Sequence, residues 1–238
     1  MSHRVSSLSV VLPAFNEAAV IASLIERSAA WLTASIPTYE IIVINDGSTD
    51  QTSSAVRSLQ ARYPTVRLLE HSVNKGYGEA LRTGFNTAKY DWILLMDADG
   101  QFTIESLVAL LPETAQHDFI SGIRERRADS VVRTWLTRGY FWLTRQFFDL
   151  PLRDPSCGFK LFRRDVWARV QPIQAHDNKV FTIEWLLKVQ EAGARMAEVP
   201  IEHLPRTTGQ ATGGQWQLIV PTLLQLSALR RRFRRASL

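Results

Sequence analysis

Short apolar runs alternate with amphipathic stretches along the first half of the chain. Leu8-Ser9-Val10-Val11-Leu12, Glu40-Ile41-Ile42-Val43-Ile44, Val66-Arg67-Leu68-Leu69 and Trp92-Ile93-Leu94-Leu95-Met96 predict strands. Pro13 is expected to stop the first. Residues 17–31 place Ile21, Leu24, Ile25 and Ala29 on one face and predict a helix. A second helix is expected to run to about residue 63, with Ser48, Thr49 and Asp50 as good N-caps. Lys75-Gly76-Tyr77-Gly78 leads into a third that ends near residue 89. Strands alternating with helices imply parallel crossovers, hence an α/β protein with a doubly wound sheet.

Beyond residue 120 the pattern changes. Ile120-Ser121-Gly122 closes a further strand, 124–129 reads as a charged loop, and 133–148 predicts a helix crowded with Trp135, Tyr140, Phe141, Trp142, Phe147 and Phe148. Residues 181–192 predict another helix, and 194–201 ends in the strand-like Glu198-Val199-Pro200-Ile201. Residues 216–229 are largely apolar, but about 14 residues fall short of the roughly 20 that span a bilayer. Arg230, Arg231, Arg232, Arg234 and Arg235 follow at once. A short apolar helix with a basic end reads as an interfacial anchor, and the alternative is core packing, as it is for the aromatic helix.

Composition narrows the classes. The 238 residues suffice for one large domain, and 45% hydrophobic with 21% charged residues is ordinary for a globular chain. The single cysteine, Cys157, excludes a disulfide framework and suits a reducing compartment. No apolar leader precedes the first strand. A net charge of +5 favours anionic partners.

The candidate chemistry sits at the carboxyl ends of the predicted strands, where open α/β sheets bind ligands. Asp97-Ala98-Asp99-Gly100-Gln101 follows a buried strand directly. Two carboxylates there offer hard oxygen ligands for Mg²⁺ or Mn²⁺ shared with substrate phosphates; the alternative is a loop with two solvated acids. Two further tips, residues 12–17 and 44–50, are also polar. No Gly-x-Gly-x-x-Gly turn follows the first strand, which excludes a dinucleotide-binding oxidoreductase.

Six motifs occur in order: Val11-Leu12-Pro13-Ala14-Phe15-Asn16-Glu17, Asn45-Asp46-Gly47-Ser48-Thr49-Asp50, Asn74-Lys75-Gly76-Tyr77-Gly78, Asp97-Ala98-Asp99-Gly100-Gln101, Asp154-Pro155-Ser156-Cys157-Gly158-Phe159-Lys160 and His203-Leu204-Pro205-Arg206-Thr207-Thr208-Gly209. Over residues 8–214 the chain resembles the family 2 glycosyltransferases of the polyprenyl-phosphate sugar synthase type, such as the dolichol-phosphate mannosyl- and glucosyltransferases. The resemblance implies a GT-A type nucleotide-binding sheet flanked by helices, with an acceptor subregion and a C-terminal amphipathic helix. Residues 1–214 would form the transferase domain, with a donor half of about 1–122 and an acceptor half of about 123–214, and residues 215–238 an arginine-rich amphipathic segment.

The resemblance also implies roles. Pro13, Phe15, Glu17, Ile44, Asp46, Lys75, Asp97, Ala98, Asp99, Gln101 and Arg206 would contact the nucleotide-sugar, a UDP- or GDP-sugar. Asp97, Asp99 and Gln101 would hold the divalent metal, Mg or Mn. Asn16 and Glu17 have an alternative role at the start of the first helix. Arg206 would meet the diphosphate; the Ser-Lys pair that follows it in the family is absent here, where Gly209 precedes Gln210, Ala211 and Thr212. Arg124, Arg133 and Thr137 would bind the phosphate of a polyprenyl (dolichyl or undecaprenyl) acceptor, and Asp154 is a candidate catalytic or structural acid beside the catalytic Asp99. His203 is expected on the diphosphate or in a loop hydrogen bond. The reading is therefore an inverting, metal-assisted glycosyltransferase, peripheral on the cytoplasmic face of the membrane, with no nucleic acid expected as partner. Its rivals are a same-fold transferase with a soluble or protein acceptor and a non-catalytic basic protein binding membrane or nucleic acid. The Gln-x-x-Arg-Trp element of processive polysaccharide synthases is absent.

Overall fold

The computed structural model describes residues 5–124, 150–175, 178–206, 229–231 and 233. A seven-stranded sheet runs through them: β1 (Ser7–Ala14), β2 (Thr38–Asn45), β3 (Val66–Glu70), β4 (Trp92–Met96), β5 (Phe119–Arg124), β6 (Phe159–Arg163) and β7 (Met196–Ile201), in the order β3-β2-β1-β4-β6-β5-β7. The helices are α1 (Ile21–Ser35), α2 (Thr52–Gln60), α3 (Tyr77–Thr87), α4 (Leu107–Leu110) between two 3₁₀ turns, α5 (Arg164–Arg169) and α6 (Asn178–Glu191).

The four strands expected in the first half form as a parallel block. β1 runs on through Pro13, which was expected to end it. Pro13 lies opposite Ile44 of β2, whereas β4 pairs only as far as Val11, so the missing N–H falls beyond that ladder. The parallel block is joined by β6, a strand not read from the sequence, which lies antiparallel between β4 and β5. Phe159-Lys160-Leu161-Phe162-Arg163 escaped a hydrophobic-run reading because Lys160 interrupts it, yet Lys160 is only 1% exposed. The residues 133–148, with Arg133 and Thr137, lie outside those described, as does nearly all of the C-terminal apolar segment. The end of that segment packs inward: Leu229 is buried and Phe233 lies against the same core.

Two helix starts differ from expectation for one reason. α1 opens at Ile21 rather than residue 17, and neither α1 nor α2 has a side-chain cap. Asp50 Oδ1 accepts from Thr52 N (3.0 Å) at the start of α2, and the polar residues that read as caps also join the tips of β1 and β2. Asn16 N donates to Ser48 Oγ (2.9 Å), Glu17 N to Thr52 Oγ1 (2.9 Å) and Ala18 N to Asp50 Oδ2 (3.1 Å), while Asn16 Oδ1 accepts from Thr49 N (2.8 Å). Asn16 takes a left-handed φ of 57° to do so, a conformation Asn tolerates better than most residues.

One sheet face is filled by Phe85, Phe119, Phe162, Trp167 and Trp185. Trp185 is fully buried, with ring centroids 5.1 Å from Phe85, 5.4 Å from Phe119 and 5.1 Å from Phe162. It thereby ties α6 to α3, β5 and β6, and edge-on pairs add about 0.5–1.5 kcal/mol beyond area burial. Trp185→Ala is expected to cost about 3–5 kcal/mol in chemical denaturation, since a central cavity of this size cannot collapse without moving three elements.

Candidate active site

The tips of β1, β2 and β4, the start of α3 and the loop after β7 enclose a cleft of about 580 Å³. Eight of the expected residues line it: Pro13, Phe15, Glu17, Asp46, Asp97, Ala98, Asp99 and Arg206. Phe15 is 39% exposed at its mouth, which leaves a face of its ring open to the cleft.

On the β2 side, Asp46 is buried and accepts hydrogen bonds from Lys75 N (2.9 Å) and Gly76 N (2.8 Å). His71 Nδ1 lies 2.6 Å from Asp46 Oδ1, and its Nε2 2.9 Å from Thr83 Oγ1. Asp46 therefore shapes the turn that leads into α3 as well as facing the cleft. Gly47 fits here because a Cβ would lie 2.4 Å from Asn74 N.

On the β4 side, Asp97 Oδ1 accepts from Tyr77 Oη at 2.7 Å, and Asp97 N donates to Gly158 O at 3.0 Å. A Cβ at Gly158 would sit 1.8 Å from Asp97 Oδ2, so only glycine leaves room for this carboxylate. Burial first, and then the neighbouring Asp99 charge, push Asp97 up to about 7. Glu17 is also pushed to about 7 by burial, against the pull of Arg206 and with the help of Asp99, Asp50 and Asp97. Arg206 Nη2 donates to Glu17 Oε1 at 2.6 Å and its Nη1 lies 3.6 Å from Asp99 Oδ2. Among the described residues four acids, Glu17, Asp46, Asp97 and Asp99, thus line one cleft with Arg206.

A bound cation would offset such an excess of carboxylates. Among the described residues no group of three or more His, Cys, Asp and Glu side chains is arranged as a metal cage. Two carboxylates completed by substrate phosphate oxygens are nonetheless an ordinary donor set for Mg²⁺ or Mn²⁺, and Asp97 and Asp99 fit it.

Three expected contacts do not line the cleft. Ile44 is buried against α3, where Gly84 lets the helix approach. Lys75 is exposed and gives its backbone N–H to Asp46. Gln101 turns instead to the loop after β7: its Nε2 donates to Leu204 O (3.1 Å) and its O accepts from Leu204 N (2.9 Å), which carries Arg206 toward Asp99. His203 packs its ring edge-on to Phe102, 5.1 Å between centroids.

On the far side of β6, Arg124 and Asp154 bind each other. Arg124 Nε donates to Asp154 Oδ2 (2.7 Å) and Nη2 to Oδ1 (2.8 Å); Nη2 also reaches Ser156 Oγ (2.7 Å). Burial opposes the Arg124 charge, but the Asp154 carboxylate outweighs it and raises the guanidinium above its ordinary range. Asp154 is only 3% exposed, and Glu198 Oε1 accepts from both Arg153 N and Asp154 N at 2.8 Å. Buried Lys160 donates to Cys157 O, which anchors the same loop. Burial lowers its ammonium while Cys157, Asp154 and Asp97 oppose that shift. The Cys157 thiol is pushed by burial to about 11, which fits packing and not nucleophilic use.

Tyr77, His71, Gly158, Lys160 and Glu198 were not among the expected site residues. Only Tyr77, Gly158 and Lys160 lie in the quoted motifs, and their partners are distant in sequence, so no local spacing exposes their roles.

The glycosyl transferase family 2 profile matches residues 9–170. Among curated proteins the chain is 30% identical over 207 residues to glycosyltransferase AglD of Haloferax volcanii, covering 84% of this chain and 33% of that one. It is 31% identical over 209 residues to the dolichyl-phosphate beta-glucosyltransferase ALG5C of Trichomonas vaginalis (81% and 62%) and 28% identical over 215 residues to the undecaprenyl-phosphate 4-deoxy-4-formamido-L-arabinose transferase of Edwardsiella ictaluri (89% and 64%). The chain thus spans one third to under two thirds of these relatives' lengths. Glucosyl-3-phosphoglycerate synthase from Mycobacterium tuberculosis, solved with Mn²⁺, UDP-glucose and phosphoglyceric acid, superposes with a TM-score of 0.66 at 20% identity, over 94% of this chain and 80% of that one. Mannosyl-3-phosphoglycerate synthase from Rubrobacter xylanophilus gives 0.68 at 18% identity, over 97% and 75%. The sheet order, the acid-bearing tips and the profile match agree: this is a GT-A fold, and the chain belongs to glycosyl transferase family 2.

Proposed function

We propose that this chain transfers a sugar from a nucleoside-diphosphate sugar to a polyprenyl phosphate with inversion at the anomeric carbon. The observation that carries the donor half is the convergence of Asp97, Asp99 and Arg206 on one cleft. UDP is the nucleotide we favour, because the solved glucosyl-3-phosphoglycerate synthase holds UDP-glucose on the same fold. The acceptor half rests on the dolichyl- and undecaprenyl-phosphate relatives.

Asp97 and Asp99 would hold a divalent cation, which would supply charge neutralisation for the departing diphosphate. Arg206 adds a fixed cation to the same oxygens, and Glu17 holds its guanidinium at the cleft wall. A phosphate oxygen of the acceptor attacks the anomeric carbon, that oxygen–carbon bond forms, and the bond to the diphosphate breaks with its electron pair leaving on the nucleoside diphosphate. The nucleophile is already ionised at neutral pH, so no proton has to be removed. Asp154 suits orientation better than proton transfer, since both of its oxygens hold Arg124, whose charge we assign to the acceptor phosphate. Arg133 and Thr137 remain proposed partners of that phosphate.

Contact with the membrane surface through the basic C-terminal segment and a cytoplasmic-face location are part of the proposal. Among the described residues no helix is long and apolar enough to cross a membrane.

Two outcomes follow. Transfer from UDP-glucose to undecaprenyl or dolichyl phosphate in vesicles with Mn²⁺ is expected to fall roughly 100-fold or more in Arg206→Ala, as for loss of one charge-stabilising donor. Absence of lipid product in the wild type, with transfer to a soluble phosphate, would replace the acceptor. The pH dependence has a definite sign. Glu17 and Asp97 titrate near 7 in the fold against ordinary values of 4.5 and 3.8. Their protonated forms therefore stabilise the fold fully below those ordinary values, and this contribution is lost as pH rises through 7. Cation binding needs the ionised forms. The gap between thermal midpoints in Mn²⁺ plus UDP and in EDTA should widen from pH 5.5 to 8; a constant gap would contradict the assignment.

A further inference from the structure

Tyr77 links the nucleoside side of the cleft to its cation side. It opens α3 directly after Gly76, whose φ of 92° sets the turn. Asp46 holds the two amides before it, Lys75 N and Gly76 N, and through His71 reaches Thr83 on α3 itself. Behind it the backbone has no slack: a Cβ at Gly78 would come within 2.9 Å of Phe181 on α6. The ring therefore leaves a backbone fixed on both sides, and its hydroxyl crosses to the β4 tip to meet Asp97 Oδ1 at 2.7 Å. The other oxygen, Oδ2, is confined by Gly158.

We infer that Tyr77 is a positioning residue whose hydroxyl fixes the orientation of the Asp97 carboxylate toward the divalent cation, so that the turn shaped by Asp46 also sets the metal ligand. The inference rests on the donor reading above. A carboxylate between a charge-assisted hydroxyl bond and a glycine wall presents one lone-pair geometry, whereas one free to rotate spends part of the metal's binding energy on being ordered. Tyrosine as a mere wall for the sugar predicts otherwise, because phenylalanine supplies the same wall.

The test is Tyr77→Phe, read by the Mn²⁺ concentration that gives half of the UDP-dependent rise in thermal midpoint. The expected result is an increase of roughly tenfold or more in that concentration, as for loss of an outer-shell partner. The ligand-free midpoint in EDTA should stay within about 3 °C of wild type. An unchanged Mn²⁺ requirement overturns the inference while leaving the donor site intact. A large fall in the ligand-free midpoint assigns Tyr77 to folding and also overturns it. A wild type with no Mn²⁺-dependent rise removes the donor reading and the inference together.

Discussion

The structure depends on keeping the carboxylates of Glu17, Asp97 and Asp99 in one partly desolvated cleft, with Arg206 beside them and Lys160 and Arg124 acting on Asp97. Like charges brought out of water are costly unless paired. The protein accepts part of that cost, as the upward displacement of Glu17 and Asp97 shows. It offsets the rest with directed donors: Tyr77 on Asp97, Arg206 on Glu17 and Asp99, and the Gln101–Leu204 contacts that hold the Arg206 loop in place. A site in this condition favours a ligand set that brings positive charge and then covers it with anionic oxygen. A divalent cation with a diphosphate is such a set.

The surrounding fold makes this arrangement rigid. The β1 and β2 tips are joined by side-chain bonds across residues 16–18 and 48–52, so their polar groups tie the two strand ends together. Antiparallel β6 carries the loop from residue 154 to 158 into the sheet beside β4, placing Gly158 against Asp97 and Asp154 against Arg124. Glu198 on β7 secures that loop by two backbone amides. The Gly158–Asp97 and Asp154–Arg124 contacts are therefore both fixed by one strand and its approach, and Phe162 of that strand packs into the large aromatic cluster.

Much of this was legible in the residue pattern. β1, β2 and β4 are continuous apolar runs that a sheet core demands, and the acids at their ends followed from strand polarity. The family resemblance, carried by six ordered motifs, supplied Arg206 and Glu17. What could not be read has physical causes. β6 is masked by Lys160, a charge that is buried because carboxylates and a carbonyl surround it. Ser48, Thr49 and Asn16 have the chemistry of helix caps, and only tertiary structure shows that they serve each other, while Asp50 holds both Ala18 N and the start of α2. Gln101 reads as a metal neighbour but spends its amide on Leu204. Tyr77 and Glu198 act on partners 20 and 44 or 45 residues away, beyond any local spacing rule.

The central claim is that Asp97 and Asp99 bind the donor through a cation. Calorimetric titration of UDP-glucose into the wild type and Asp99→Ala, each in Mn²⁺ and in EDTA, tests it most directly. The account predicts binding by the wild type that is strong in Mn²⁺ and weakened in EDTA, and a variant in which Mn²⁺ no longer improves binding. Equal binding by both proteins with and without Mn²⁺, or no binding by the wild type in Mn²⁺, would contradict it.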